Sequence, residues 1–319
     1  MDSRFSSAPR AVSSPATLVD PQGRTLDYLR LAVTDRCNLR CSYCMPEKGL
    51  DWVPTLAVMT GDEMLRVGAL FVRLGVRKIR ITGGEPLVRR GIVDIMASLG
   101  ALPERPEILL TTNGTVLTDH IDALKAAGVH RINLSLDSLR EDRWSKITRR
   151  QGFARVRGSI DAVLEAGLGL KVNMVVLPGL NDREIPDFVE LTRHLPITVR
   201  FIEPMPFDGA GRKMEETITG EEILLRLRSR YDLTPVLQDQ SAVDKVFSVR
   251  GFAGRVGVIE GHSRKFCSTC SRLRVDARGR LRTCLYGASG VNLTEMMRDG
   301  ATDDELVAAI RGDIAFRFK

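Results

Sequence analysis

Cys37, Cys41 and Cys44 lie within eight residues, in the run Cys37-Asn-Leu-Arg-Cys41-Ser-Tyr-Cys44 with spacing C-x3-C-x2-C. Three thiols on one loop can hold three corners of a cuboidal iron–sulfur cluster. A full cysteine set has four ligands, so the fourth iron is left to something that is not protein. An open metal position is what a catalytic centre needs, whereas a structural site is closed. A second group, Cys267, Cys270 and Cys284, has spacing C-x2-C-x13-C and is again a set of three. Disulfides fit poorly, because the chain is long enough to bury its own core and reads without a signal peptide. Zinc is the stronger rival, yet each group is one ligand short of a closed zinc site, and more than two hundred residues separate the two.

The elements that must carry these loops are legible from periodicity. Tyr28–Val33 alternates apolar residues and reads as a strand, so the first thiols sit on the loop leaving a strand. Met59–Leu74 has helical spacing, with Thr60 as N-cap and Glu63 three residues on. Strands follow at Arg77–Thr82, Glu107–Thr112, Arg131–Leu136, Leu170–Leu177 and Thr198–Ile202. Helices stand between them at Ile92–Leu99, Asp119–Ala127, Phe153–Ala166 and Ile185–His194. Six β–α units predict an α/β fold with a parallel sheet, a partial (βα)6 TIM-type barrel. Polar signatures follow the strands: Gly83-Gly84-Glu85-Pro86, Thr111-Thr112-Asn113-Gly114, Ser135-Leu136-Asp137-Ser138 and Glu203-Pro204-Met205. The strand ends of a barrel converge on one mouth, so one site is assembled from distant loops. Beyond about residue 210 the alternation gives way to a helix at Glu221–Ser229, short strands at Val246–Val249 and Val256–Ile259, the second cysteine group, and closing helices at Asn292–Met297 and Asp303–Ile310. The expected organisation is a flexible Ser-, Ala- and Pro-rich arm over 1–25, the barrel over 26–235, and a C-terminal extension over 236–319 with the second cluster.

The formal net charge of +7 suits an anionic ligand. Nucleic acid fits less well, since no long basic run occurs and aromatic residues are 5% of the chain. No apolar run approaches membrane-spanning length. Free-thiol usage points to the cytoplasm, and Asp2 and Asp20 count against a transit peptide. The four histidines are scattered without ligand spacing.

Together, Cys37-x3-Cys41-x2-Cys44 and Gly83-Gly84-Glu85-Pro86 resemble the radical S-adenosylmethionine (radical SAM) superfamily. Arg30 seven residues before the first cysteine, Thr111-Thr-Asn-Gly114, Lys171-Val-Asn173, Arg200-Phe-Ile-Glu203-Pro-Met205 and Cys267-x2-Cys270-Ser-Arg272-Leu273-Arg274…Cys284 narrow the resemblance to the GTP 3′,8-cyclases of molybdenum cofactor biosynthesis. The resemblance covers about residue 26 to about 300 and implies two [4Fe-4S] clusters, one on each cysteine group. It implies that the first binds S-adenosylmethionine and yields a 5′-deoxyadenosyl radical, with Tyr43, Gly84, Ser135 and Met205 around the cofactor. It implies GTP at the second cluster, met by Arg30, Arg80, Thr111, Lys171 and the Arg272-Leu273-Arg274 triplet. Hydrogen abstraction from C3′ and attack on C8 would give 3′,8-cyclo-7,8-dihydro-GTP, to be passed to cyclic pyranopterin monophosphate synthase. A homodimer is implied as well.

Taken singly, these residues have plainer readings. Any one arginine among 47 basic residues is usually a solvated charge, Met205 would be core, and Gly83-Gly84 a tight turn. Arg30 and Arg80 depart from that expectation because each stands inside an apolar strand. Two rivals remain at this stage. A peptide-modifying radical SAM maturase would share the first motif but carry more C-terminal cysteines and need no Arg-Leu-Arg. A zinc-stabilised binding protein would contain zinc without iron or sulfide. The cyclases end in a Gly-Gly tail that enters the active site, whereas this sequence stops at Ala315-Phe-Arg-Phe-Lys319. Either the sequence is truncated or the protein does without the tail; if the tail is truly absent, clusters and GTP are expected to bind while turnover is poor. A synthetic tail peptide that brought no gain in cyclisation would contradict it.

Overall fold

The computed structural model describes residues 17–205, 217–239, 241–261, 263, 267–285, 287 and 290–317, with only the backbone of Cys267. The alternation read from the sequence is realised in chain order. It runs β1 (Tyr28–Ala32), α1 (Gly61–Arg73), β2 (Lys78–Thr82), α2 (Ile92–Gly100), β3 (Glu107–Thr112), α3 (Ile121–Ala126), β4 (Val129–Ser135), α4 (Glu141–Thr148), α5 (Phe153–Glu165), β5 (Gly169–Val175), α6 (Ile185–His194) and β6 (Thr198–Ile202). These six strands are parallel and adjacent in sequence order. α1 starts at the expected cap: the Thr60 hydroxyl accepts from the Glu63 N–H, and the Glu63 carboxylate accepts from the Thr60 N–H.

The C-terminal third does not form a sheet of its own. After α7 (Gly220–Arg228) come β7 (Leu233–Pro235), β8 (Asp244–Val249) and β9 (Arg255–Ile259), then β10 (Arg272–Val275), β11 (Leu281–Arg282), α8 (Leu293–Arg298) and α9 (Asp303–Ala315). β9 joins β6 in parallel and carries β8 and β7 antiparallel, while β10 joins β1 in parallel and carries β11. The order is therefore β11-β10-β1-β2-β3-β4-β5-β6-β9-β8-β7. Both edges of the six-stranded core are paired, which moves the ladder edges out to the short strands β11 and β7 and carries the second cysteine group to the strand beside β1.

Each strand sends one set of side chains outward to the helices. Leu29 and Leu31 of β1, Ile79 and Ile81 of β2, and Val199 and Phe201 of β6 are fully buried in one hydrophobic core with Phe71 of α1 and Phe188 of α6. The expected flexible arm over 1–25 is corrected for its last nine residues, while 1–16 lie outside the described residues. Leu18 is buried in the core, and its N–H donates to the Leu74 carbonyl. Asp20 accepts from the backbone of Gln22 and Arg24 and pairs with the Arg24 guanidinium. A Ser/Pro-rich composition hides one apolar anchor and one Asx turn that together fix this segment.

Candidate active site

The first cysteine loop leaves β1 and is held by the end of α4. The Thr148 and Ile147 carbonyls, which have no partner within the helix, accept from the Arg40 and Ser42 N–H groups at 2.9 Å each. Arg149 ends α4 in the left-handed region, φ 55°, and its guanidinium donates to the Met45 carbonyl at 3.2 Å. Arg40 closes the loop on itself through the Cys37 and Leu39 carbonyls and lies over the Trp52 ring. Cys37 and Cys41 are half-buried and Cys44 is exposed. Burial pushes all three thiols up, most of all Cys41, where Asp137 and the two neighbouring thiols add to it. A metal taken here must therefore displace protons. Among the described residues, no three His, Cys, Asp or Glu side chains converge on one ion. Three free thiols on one loop are a donor set that could hold three irons of a cuboidal cluster.

Three strand-end motifs lock onto that loop. The Gly84 N–H donates to the Thr34 carbonyl and the Glu85 N–H to the Arg36 carbonyl, each at 2.8 Å. A Cβ on Gly84 would stand 2.6 Å from the Asp35 carbonyl oxygen, so only glycine permits this approach. The Glu85 carboxylate, 1% exposed, accepts from the Asn113 N–H at 2.6 Å and the Thr112 hydroxyl at 2.7 Å. Asn113 in turn donates to Asn38 beside Cys37. Glu85→Ala would leave these buried donors unpaired and is expected to destabilise the fold by roughly 2–3 kcal/mol, measured as a shift in the denaturant midpoint. The Tyr43 hydroxyl donates to Asp137 at 2.9 Å, and burial lifts the Asp137 carboxyl to about 6.

Inside the barrel lies a cavity of about 780 Å³. Its wall is built from the second set of strand side chains, alternating with the core set. Tyr28, Arg30 and Ala32 face in from β1, Lys78, Arg80 and Thr82 from β2, and Arg272 and Arg274 from β10. Parallel register stacks these into rows: Arg274, Arg30 and Arg80 are neighbours across β10, β1 and β2. Burial, then the Arg274 charge, lowers the pKa of Arg30. Farther round, Thr111, Asn133, Lys171 and Arg200 continue the wall. Arg80 donates to the Leu110 carbonyl at 3.1 Å and to the Tyr28 hydroxyl. Asn133 turns its amide oxygen to Arg80 at 3.1 Å and Arg200 at 2.7 Å. Arg200 also donates to Asn173 at 2.8 Å and faces Asp244 at 3.7 Å, with Lys171 at 3.5 Å from the same carboxylate.

Both cysteine loops reach this cavity. Tyr43 lines it from the first, and Cys270 and Cys284 from the second. The Cys267 side chain lies outside the described residues. Burial raises the Cys270 thiol, but the Arg272 guanidinium and N–H outweigh it and bring the pKa below the ordinary value, which favours the thiolate a metal needs. Met205 lines the mouth against Gly261, where a Cβ would collide with its side chain.

Arg30, Arg80, Thr111, Lys171, Arg272 and Arg274 thus share one cavity with Tyr43 and Met205, as expected. Leu273 does not: the alternation that turns its two neighbours inward buries it in the core, at 0% exposure. Gly84 and Ser135 stand outside the lining, as do the first three thiols. Lys78, Arg131, Asn133, Arg200 and Asp244 line the cavity too; Arg200 belongs to the Arg200–Met205 run but carried no expected role, and the other four are not among the expected site residues. All but Asp244 were readable in principle, since each is a polar residue at an inward strand position.

A radical SAM superfamily model matches residues 31–192, and a Molybdenum Cofactor Synthesis C model matches residues 197–319. The chain is 43% identical over 292 residues to a GTP 3′,8-cyclase of Geobacter sulfurreducens, across 91% of this chain and 89% of that protein. The chain belongs to the GTP 3′,8-cyclase family of the radical SAM superfamily. It is also 44% identical over 303 residues to molybdenum cofactor biosynthesis protein 1 of Drosophila melanogaster, across 95% of this chain and 54% of that one. This cyclase-family chain thus spans about half the length of the animal relatives it matches. In fold it resembles Streptococcus suis SuiB, solved with S-adenosylmethionine, at TM-score 0.59 and 14% identity over 91% of this chain and 69% of that one.

Proposed function

We propose that this chain converts GTP to 3′,8-cyclo-7,8-dihydroguanosine 5′-triphosphate, an early step towards the molybdenum cofactor. The observation that carries the reading is a single cation-lined cavity reached by both cysteine loops. Cys37, Cys41 and Cys44 would hold one [4Fe-4S] cluster, and Cys267, Cys270 and Cys284 a second. When bound, the first cluster and S-adenosylmethionine supply a one-electron cleavage that leaves a deoxyadenosyl radical able to take hydrogen from C3′. The dihydro product needs a second electron and a proton at the purine.

The chain's own share is placement and charge. Tyr43, Gly84, Ser135 and Met205 surround the S-adenosylmethionine site, Tyr43 with its hydroxyl fixed by Asp137. Arg272 and Arg274 meet the guanosine end beside the second cysteines. Arg30, Arg80, Thr111, Lys171 and Arg200 face the ribose and phosphates, where guanidiniums bind oxygens in pairs. Barrel walls and the covered sheet edges exclude water from a radical that would otherwise be quenched. We assign the product to cyclic pyranopterin monophosphate synthase and the chain to the cytoplasm as a homodimer. Among the described residues no helix is long and apolar enough to cross a membrane.

Loss of S-adenosylmethionine to deoxyadenosine in step with loss of GTP, in anaerobically reconstituted protein, tests the assignment. Deoxyadenosine formation indifferent to GTP would sink it. A pH dependence follows from Lys171. Burial, with the Arg200 charge, lowers its pKa to about 8 against the pull of Asp244. The ammonium is therefore present below pH 8 and lost above it, so GTP affinity should fall as pH rises from 7 to 9. Lys171→Arg, charged throughout, should flatten that fall in a calorimetric titration.

A further inference from the structure

Asp244 is the unexpected group in this cavity. It stands at the start of β8, 8% exposed, in a wall where cations outnumber carboxylates, and it is the carboxylate that faces both Lys171 and Arg200. Lys171 and Arg200 draw its pKa down against the effect of burial, so it is a carboxylate at neutral pH. It faces Lys171 at 3.5 Å and Arg200 at 3.7 Å, both longer than a strong charge-assisted hydrogen bond. Arg200 does not depend on it for aim, whereas Lys171 has its side-chain hydrogen bond with Asp244. Arg200 is already oriented by the Asn173 oxygen at 2.8 Å and the Asn133 oxygen at 2.7 Å, and Gly257, its register partner on β9, leaves room for its stem. Lys171 stands beside Asn133 in register on β5. Asp244 therefore neutralises charge at Arg200 without fixing its geometry, and it pairs directly with Lys171.

Its place in the cavity gives this a consequence. The second cysteines lie beside β10, next to β1, while Lys171 and Arg200 stand on β5 and β6 at the far end of the six-stranded core. An extended nucleotide with its base at the cysteines lays its phosphates toward Lys171 and Arg200. Substrate and product of the proposed reaction carry the same triphosphate. A cavity that held it by unopposed buried cations would hold the product as well.

We propose that Asp244 is a built-in competitor for the phosphate chain, pairing with Lys171 and Arg200 so that a triphosphate is bound reversibly and released after reaction. This rests on the GTP reading above. A carboxylate about 6 Å from a phosphate, at an effective dielectric near 20, opposes binding by more than a tenfold factor, reduced to about tenfold by screening.

The test is calorimetric titration of anaerobically reconstituted full chain at pH 7 with GTP, GDP, GMP and guanosine. Asp244→Asn should bind GTP about tenfold tighter, GDP less so, and guanosine as before. Asn173→Asp, which adds a second carboxylate on Arg200, should weaken GTP about tenfold and leave guanosine unchanged. A purely structural Asp244 would instead weaken every ligand together when removed. Unchanged or weaker GTP binding by a folded Asp244→Asn protein overturns the proposal while wild-type GTP binding keeps the parent reading. Failure of wild type to bind GTP overturns both. Should Asp244→Asn not fold, Asn173→Asp decides alone, and guanosine falling in parallel with GTP counts against the proposal.

Discussion

Gly84→Ala is expected to abolish S-adenosylmethionine cleavage in a chain that still folds. The added methyl would meet the Asp35 carbonyl oxygen at 2.6 Å and the Arg36 carbonyl more closely still. These atoms cannot step aside cheaply, because the Thr34 and Arg36 carbonyls are bonded to the Gly84 and Glu85 N–H groups. The strain must move the Gly-Gly-Glu-Pro turn away from the Cys37 loop. Displacing a reacting group by about 1 Å costs roughly a hundredfold in rate, and here both cluster loop and cofactor contact shift. Deoxyadenosine formation should drop at least that far, with iron per chain lowered at the first site. Ile79 and Ile81 of β2 stay buried in the core, so the chain should still fold, with a lowered melting temperature because the turn also carries the buried Glu85 network. Cleavage near the wild-type rate would mean that the turn and the cysteine loop are not packed as described.

Arg200→Ala should lower GTP affinity by about a hundredfold. Arg200 is 7% exposed and bonded to two asparagines, and burial pulls its pKa down only to about 10, so it stays charged at neutral pH. Its loss removes a buried cation from the phosphate end and leaves Asp244 with Lys171 alone, shifting the local charge against the ligand. Truncating one partner of a buried, hydrogen-bonded charge pair typically costs about 2–5 kcal/mol. Arg200→Lys should recover only part of the loss, because an ammonium cannot serve both asparagine oxygens and a phosphate in one plane. A titration showing unchanged GTP affinity would remove Arg200 from the binding wall.

The fold was largely legible because its strands and helices announce themselves by period. β3, β6 and α6 have the bounds the pattern predicts. α4 was missed because its eight residues are mostly polar and only Trp144, Ile147 and Thr148 are buried. β10 is four residues long, and its pairing partner β1 lies far back in the chain. The site divides along the same line. Local motifs identified the thiols, Gly84 and the arginine pair, since those act within one loop or strand. Leu273 was grouped with Arg272 and Arg274 by adjacency, and the two-residue period of β10 separates them. Asp244 was invisible, and Asp137 was legible only as part of a strand-end signature without a role, because their roles depend on partners 73 and 94 positions away. Lys78, Asn133 and Arg200 needed only the knowledge that the sheet rolls up, which turns every second strand residue into cavity wall.

The central claim is that the radical made at the first cysteine loop acts on a guanosine triphosphate held at the second. GTP carrying deuterium at C3′ tests it most directly. Incubated anaerobically with reconstituted protein, S-adenosylmethionine and a reductant, it should yield 5′-deoxyadenosine with one deuterium, together with a cyclised triphosphate lacking it. Deoxyadenosine formed without deuterium, while GTP is recovered intact, would contradict the account.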